Sequence, residues 1–211
     1  MVAVVFTMAE RRLYLCTPIR SDLTAFVGAV IDGGVDVIQL REKHADARTV
    51  LAAARELRAL CRDRGVPFIL NDRADLAYDV GADGVHVGQD DAPVALCRSL
   101  LGPDAIIGLS THGDADLAGA LGQDVNYLSA GPIEPTPTKP GRAGTGLAYA
   151  SEATEKSPWP VFVTGGVTAE RVSDLVNAGV RHFVVVRYLT ESTNPRRDAQ
   201  QLSEAIDASL S

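Results

Sequence analysis

Short runs of β-branched and other apolar residues alternate along the chain with longer stretches in which apolar residues recur every three or four positions. The first pattern is that of a strand buried on both faces, the second that of a helix with one face on a core. Run one covers residues 12–16 (RLYLC), and a helical pattern over 22–31 follows it and stops at Gly33-Gly34. Run two, 35–40 (VDVIQL), leads into 46–64, where Val50, Ala54, Leu57 and Cys61 form a helical stripe closed by Gly65. Run three (67–70) and run four (84–87) flank a short helix over 74–80 that stops at Gly81. A helix over 92–101, with Pro93 in its first turn, precedes run five at 105–109. A helix over 114–121 ends at Gly122, and run six covers 125–130. A Pro/Gly/Thr-rich loop occupies 131–145, a weaker helical stretch 147–156 and run seven 161–164. The helix over 169–178 buries Val172, Leu175 and Val176 and ends at Gly179; run eight is 182–186. The last helix, 196–210, carries Ala199, Leu202 and Ile206 as its stripe.

Strict alternation requires a parallel sheet with crossover helices. Eight such units without a break in composition predict an α/β fold of the (β/α)8 TIM-barrel type, a single domain over residues 11–211. An open doubly wound sheet would want a glycine fingerprint after its first strand, and Cys16-Thr17-Pro18-Ile19-Arg20 has none. Residues 1–10 are expected to be an N-terminal extension, loose over 1–9, with Met8 as an alternative start.

Composition narrows the function classes. The 211 residues include 20 basic and 27 acidic ones, a net charge of −7, which argues against a general nucleic-acid binder but leaves room for a local basic pocket. Cys16, Cys61 and Cys97 are widely spaced and form no Cys-x-x-Cys, so a disulfide framework or zinc site is not expected. No apolar run approaches the roughly 20 residues of a membrane span. The start of the chain lacks a basic segment and a cleavage site, so a cytoplasmic protein without a membrane partner is expected. Homo-oligomerisation is left open.

A barrel of this kind carries its active site at the C-terminal ends of its strands. Polar and special residues do collect there: Gln39-Leu40-Arg41-Glu42-Lys43, Asn71-Asp72, Gly88-Gln89-Asp90-Asp91, Ser110-Thr111-His112, the loop after run six, Gly165-Gly166, and Arg187. If Ile38 and Leu40 face the helices, alternation turns Gln39, Arg41 and Lys43 towards the barrel axis. Two cations and an amide converging at a mouth suit a polyanion, though a solvated strand end would look similar. Asp72 and Asp91 each precede a helix. Either could be an N-cap, Asp72 with Asp75 resembling a capping box, or the two could hold Mg²⁺ with phosphate oxygens. Asp90 could replace Asp91 in that role.

In the loop 131–146, Pro132, Pro135, Pro137 and Pro140 stiffen the backbone around Thr136, Thr138 and Lys139, which suits phosphate binding and a closing lid. Thr164-Gly165-Gly166-Val167-Thr168 precedes a helix, where glycine lets the backbone approach an anion, and Val186 and Arg187 close the far side. His86 either lines the mouth or is a buried structural histidine, the latter being slightly favoured; His44 and His112 fall in loops and His182 at the quiet end. Cys97 reads as helix packing. Two phosphate sites and a carboxylate pair in one cup suggest the joining of two phosphorylated molecules with diphosphate leaving.

QLREK, ND, GVHVGQDD, GLSTH, GPIEPTPTK and TGG, in this order, resemble the thiamine-phosphate synthase (thiamine-phosphate pyrophosphorylase) family over about residues 13–202. The resemblance implies an Mg²⁺-dependent transferase. It would condense a hydroxymethylpyrimidine diphosphate with a hydroxyethylthiazole phosphate, giving thiamine phosphate and diphosphate. It places Gln39, Leu40, Arg41, Glu42 and Lys43 on the pyrimidine diphosphate, with Asn71, Ser110 and Lys139. Asp72 and Asp91 would hold Mg²⁺. Thr136, Pro137, Thr138, Gly166, Val186 and Arg187 would receive the thiazole phosphate, and Arg41, Lys43 and Lys139 would be the catalytic cations. Family members commonly have a small residue where Arg187 stands, so its side chain is a departure. The rival readings are a thiazole tautomerase on the same barrel, needing no metal, and a non-catalytic ligand-sensing barrel.

Overall fold

A computed structural model of the chain describes residues 6–136 and 143–211. Eight parallel strands close into a barrel in chain order: β1 (Leu13–Thr17), β2 (Val37–Leu40), β3 (Phe68–Asn71), β4 (Gly84–Val87), β5 (Ile106–Thr111), β6 (Tyr127–Ala130), β7 (Val161–Thr164) and β8 (His182–Val185). Around them run the helices α1 (Leu23–Asp32), α2 (Ala47–Arg64), α3 (Ala74–Val80), α4 (Val94–Leu101), α5 (Asp114–Ala120), α6 (Gly146–Lys156), α7 (Val172–Asn177), α8 (Arg187–Thr190) and α9 (Pro195–Leu210). The expected (β/α)8 barrel is therefore observed.

The strand period divides the core into two shells. Leu13, Leu15, Ile38, Leu40, Phe68, Leu70, Val85, Leu128, Val163 and Phe183 face outward and meet the helices. Tyr14, Cys16, Val37, Ile69, Ile106, Tyr127, Phe162 and Val184 face the axis. Each large side chain taken wholly from water contributes about 1.5–3 kcal/mol, so both shells are needed for so short a barrel. Helix α2 shows how its partner face is set. Val50, Ala54, Leu57 and Cys61 are its buried stripe, and the Asp46 carboxylate accepts from Thr49 N–H to start it. Gly65 ends it at φ 66°.

The base of the barrel is stitched by a repeated device. Asp36, one residue before β2, accepts from the N–H groups of Arg12 (2.7 Å) and Leu13 (2.9 Å) at the start of β1. Asp83 before β4 accepts from Phe68 N–H on β3 at 2.8 Å. Asn126 before β6 accepts from Ile107 N–H on β5 at 2.8 Å. Backbone amides at the rim that the ladder leaves over are satisfied by these side chains.

Four expectations change. Met8 lies in a 3-10 turn (Met8–Glu10) and is buried in the axial core with Phe6 packed against it, so these two residues of the expected loose extension are seated on the barrel, while residues 1–5 lie outside the described residues. The pattern over 169–178 splits into a 3-10 turn (Ala169–Arg171) and α7. Ser110 and Thr111 belong to β5 rather than to the loop after it. Helix α8 is additional: one turn, with Leu189 its buried anchor, too short to show a helical period.

Burial pushes the Asp36 carboxyl up to about 6, against the pull of its two backbone donors. An unfolded aspartate releases its proton near pH 4. The folded chain therefore holds more protons between these values, and stability falls as pH rises across that window. Asp36→Asn should remove this fall. The variant and the parent should diverge by on the order of 2 kcal/mol between pH 4 and 7 in urea unfolding. An equally steep profile in the variant excludes Asp36 as its source.

Candidate functional site

The inward positions change character halfway up the barrel. Below lie Val37, Ile69, Ile106 and Met8; above lie Gln39, Asn71, His86, Ser110 and Ser129, all buried. Between them Tyr14 and Tyr127 meet across the axis, hydroxyl to hydroxyl at 2.8 Å. Phe162 packs edge-on against both rings, at 5.4 and 5.3 Å. Burial pushes both phenols well above their ordinary range, so they are protonated.

Register explains how this floor closes. His86, Gly108 and Tyr127 are aligned on β4, β5 and β6. With no side chain at Gly108, the His86 and Tyr127 rings stack over the gap at 5.5 Å, and Tyr127 OH meets His86 Nδ1 at 3.0 Å. A Cβ on Gly108 would stand 2.1 Å from Tyr127 Cζ and 2.5 Å from His86 Nδ1. His86 Nε2 meets Ser110 Oγ at 2.8 Å, Gln39 Nε2 donates to Tyr14 OH at 2.9 Å, and Cys16 Sγ donates to Gln39 Oε1 at 3.0 Å.

Above the floor is a cavity of about 310 Å³, lined among others by Gln39, Arg41, Thr136, Gly166, Val186 and Arg187. A second, of about 290 Å³, is lined by Lys43, Asp72, Asp90 and Asp91. Arg41, Asn71, His86 and Ser110 face both, so the two are halves of one cup. The predicted parity of β2 is observed: Gln39 is axial and Ile38 and Leu40 are under the helices.

At one rim Lys43 Nζ lies 2.9 Å from Asp72 Oδ2, and the Asp72 carboxyl is within hydrogen-bonding reach of Asp91. Burial pushes Asp72 up and Asp91 adds to that, while Lys43 pulls the other way. Asp91 Oδ2 also accepts from Gly88 N–H at 2.8 Å. Neither aspartate caps a helix. The N-caps of α3 and α4 are Arg73 and Pro93, and Asp75 pairs with Arg73 instead of closing a capping box. Asp72 holds φ 62°, the left-handed region, at a cost of about 1–2 kcal/mol; the N-cap reading of the sequence gives way to this conformation. Two carboxylates in contact want a shared proton or a cation, and a pair of this kind fits Mg²⁺ completed by phosphate and water. Among the described residues no group of three or more His, Cys, Asp or Glu side chains is assembled for a metal.

At the opposite rim Gly165 (φ 96°) and Gly166 (φ 74°) turn the backbone into α7's approach. Arg171 Nη1 donates to Gly166 O at 2.9 Å and pairs with Glu134 Oε1 at 2.7 Å, tying this turn to the loop after β6. Ile133 N–H on Thr164 O (2.8 Å) and Gly146 N–H on Ile133 O (3.1 Å) pin both roots of that loop.

The cup thus gathers Gln39, Arg41, Asn71, Ser110, Thr136, Gly166, Val186 and Arg187 in one half and Lys43, Asp72 and Asp91 in the other. It does not gather the side chain of Leu40, which is in the outer core, or that of Glu42, which accepts from His44 N–H and lines neither half. Pro137, Thr138 and Lys139 lie outside the described residues. Tyr14, Tyr127, Tyr188 and Glu191 line the cup and were not singled out in the sequence. His86 satisfies both of its readings, being buried and facing the cup. His182 sits at the quiet end, its Nδ1 on Arg11 O. A tyrosine at an inward strand position was the available signal for the floor, and it is indistinguishable from ordinary core in sequence.

Fold and cup define a (β/α)8 protein built to hold phosphorylated small molecules at its strand ends. A family model described as thiamine monophosphate synthase matches residues 13–189, and the chain belongs to that family. The chain is 43% identical to thiamine-phosphate synthase of Mycobacterium sp. (strain KMS) over 215 residues, 94% of each chain. Its identity to the Mycobacterium tuberculosis protein of the same name is 43% over 217 residues, 95% of this chain and 97% of that one. Thiamine phosphate pyrophosphorylase from Pyrococcus furiosus superposes with a TM-score of 0.85 at 27% identity, over 95% of this chain and 97% of its own.

Gly108→Ala should force Tyr127 and His86 apart. Overpacking of this kind costs about 1–3 kcal/mol, so the midpoint of thermal unfolding should fall by roughly 3–10 °C, read by differential scanning calorimetry. An unchanged midpoint would show that the ring pair has slack.

Proposed function

We propose that this chain is a transferase that joins 4-amino-2-methyl-5-hydroxymethylpyrimidine diphosphate to 4-methyl-5-(2-hydroxyethyl)thiazole phosphate, giving thiamine phosphate and diphosphate. The observation that carries the reading is a single cup with a cationic, carboxylate-bearing rim at Arg41, Lys43, Asp72 and Asp91 and a glycine-turn rim at Gly165-Gly166 facing it. The first suits a diphosphate, the second a phosphate monoester approached by backbone N–H groups. Family membership over most of the chain supports the same assignment.

Asp72 and Asp91 would hold Mg²⁺, which, when bound, neutralises charge on phosphate oxygens. Gln39, Asn71 and Ser110 would seat the pyrimidine. Thr136, Thr138, Gly166, Val186 and Arg187 would seat the thiazole phosphate. The bond between the exocyclic methylene carbon and the diphosphate oxygen breaks with its electron pair leaving on oxygen. The aminopyrimidine supports the cationic carbon, so a dissociative step is suited to this substrate. The thiazole nitrogen then donates its lone pair to form the new C–N bond. No proton is transferred, so the His86–Ser110 pair that lines both halves of the cup serves in hydrogen bonding and not as base and nucleophile. Arg41, Lys43 and Lys139 stabilise the departing diphosphate. Excluding water protects the cationic carbon, the role suited to the loop after β6. Among the described residues no helix is long and apolar enough to cross a membrane.

The deciding experiment is diphosphate release by purified protein given both substrates, with and without Mg²⁺. Release that needs both substrates and the metal is expected; metal-independent isomerisation of a thiazole phosphate, or binding without turnover, refutes the assignment. Arg41→Ala should lower kcat by roughly two orders of magnitude if it stabilises the leaving group. An effect confined to KM for the thiazole phosphate would remove it from that role. Asp91→Ala should shift the Mg²⁺ activation curve to concentrations at least ~10-fold higher, as expected when one of two carboxylate ligands is lost. An unmoved curve takes Asp91 out of the ligand set.

A further inference from the structure

The floor of the cup is a continuous hydrogen-bond chain, and its partners fix its direction. Cys16 Sγ–H donates to Gln39 Oε1, which leaves Gln39 Nε2 against Tyr14 OH as a donor. Tyr14 therefore gives its own proton to Tyr127 OH, its other neighbour. Tyr127 in turn gives its proton to His86 Nδ1. A ring that accepts at Nδ1 carries its proton at Nε2, and that proton goes to Ser110 Oγ. The Ser110 oxygen then accepts from within the floor, and its own hydrogen is left for the cup.

The reverse direction would need Gln39 turned over, with its amide N–H against the Cys16 sulfur. Sulfur is the weaker acceptor of the two atoms, so a thiol proton on the amide oxygen is favoured over an amide N–H on the sulfur. Both phenols are buried and kept protonated, so each has one proton to give, and a phenol that accepted on both sides would leave that proton without a partner. The links are all buried, where a polar group left without its partner is costly, so each end of the chain constrains the other.

We propose that Tyr14, Tyr127 and His86 are positioning residues that set the polarity of the cup, holding His86 as its Nε2–H tautomer and so presenting Ser110 to the substrate as a hydrogen-bond donor. The same chain spends one acceptor site of Gln39 Oε1 and one hydrogen of Nε2, leaving one of each for the ligand. The occupant this pattern reads is a flat heteroaromatic ring with a ring-nitrogen acceptor beside an amino donor. An aminopyrimidine has that edge; its hydroxy analogue, in which the donor becomes a carbonyl acceptor, does not. None of the three positioning side chains has to touch the reacting atoms. The inference rests on the proposed reaction only for the identity of the ring, while the polarity stands on the floor itself.

The test uses the full chain labelled with ¹⁵N histidine, the His86 signals being identified by their loss in His86→Asn. Two-bond ¹H–¹⁵N correlations should show the Nε2–H tautomer in the parent protein. Tyr127→Phe removes the donor to Nδ1 and should mix the two tautomers. In the same variant KM for the pyrimidine diphosphate should rise about 10-fold, with kcat within a few-fold and KM for the thiazole phosphate unchanged, as for the loss of one ground-state contact. An Nδ1–H tautomer in the parent overturns the proposal even if the variant does not fold. So does a Tyr127→Phe protein with unchanged tautomer and unchanged KM. A parent that releases no diphosphate refutes the reaction instead, and the tautomer measurement still decides the polarity.

Discussion

The hydrogen bond between Tyr14 and Tyr127 across the barrel axis is the constraint from which the site follows. In a closed barrel every second side chain is committed to the same narrow space. Two phenols that meet there have no water to turn to, and leaving either hydroxyl unpaired would cost about 1–3 kcal/mol. Each finds the other, and each then needs a second partner: Gln39 for Tyr14 and His86 for Tyr127. Gly108 supplies the room. The apolar plug of Met8, Val37 and Ile106 ends at this height and the polar cup begins.

Above that floor, the two rims differ in how they meet charge. Lys43, Asp72 and Asp91 place opposite charges together, one ammonium against two carboxylates, an arrangement suited to an anion and a cation that arrive as a pair. The glycine rim offers backbone, with Arg187 at its edge and Arg171 held by Glu134. A chain of net charge −7 can thus present a mouth suited to phosphate esters, because net charge governs long-range behaviour and the mouth is set by a handful of groups.

Strands and helices were readable because a barrel strand buried on both faces and an amphipathic helix differ so plainly in period. The parity that turns Gln39 inward followed from Ile38 and Leu40 alone. What could not be read depends on tertiary partners. Asp72 sits where an N-cap belongs, and only the folded backbone, left-handed at this residue, takes it off that role and leaves its side chain lining the cup. Helix α8 is one turn long, below the length at which period means anything. Met8 joined the core because the barrel's open base needs a stopper, a demand no local pattern encodes. The motif segments around Arg41, Asp91 and Gly166 were readable as chemistry. The phenol and imidazole chain beneath them was not, since Tyr14 and Tyr127 look like any strand core.

The character of that floor also suits the proposed chemistry. A dissociative step leaves a cationic carbon that any nearby nucleophile can capture, so the surface beneath it must be polar enough to orient a ring and still poor in free electron pairs. Phenols that burial keeps protonated meet this need, each with its oxygen engaged by a neighbouring donor. The Ser110 oxygen accepts from His86 and turns its hydrogen upward. A floor of the opposite polarity would aim lone pairs at the cation. The direction of five hydrogen bonds thereby ties substrate recognition to protection of the intermediate, so the sequence need not provide a separate device for each.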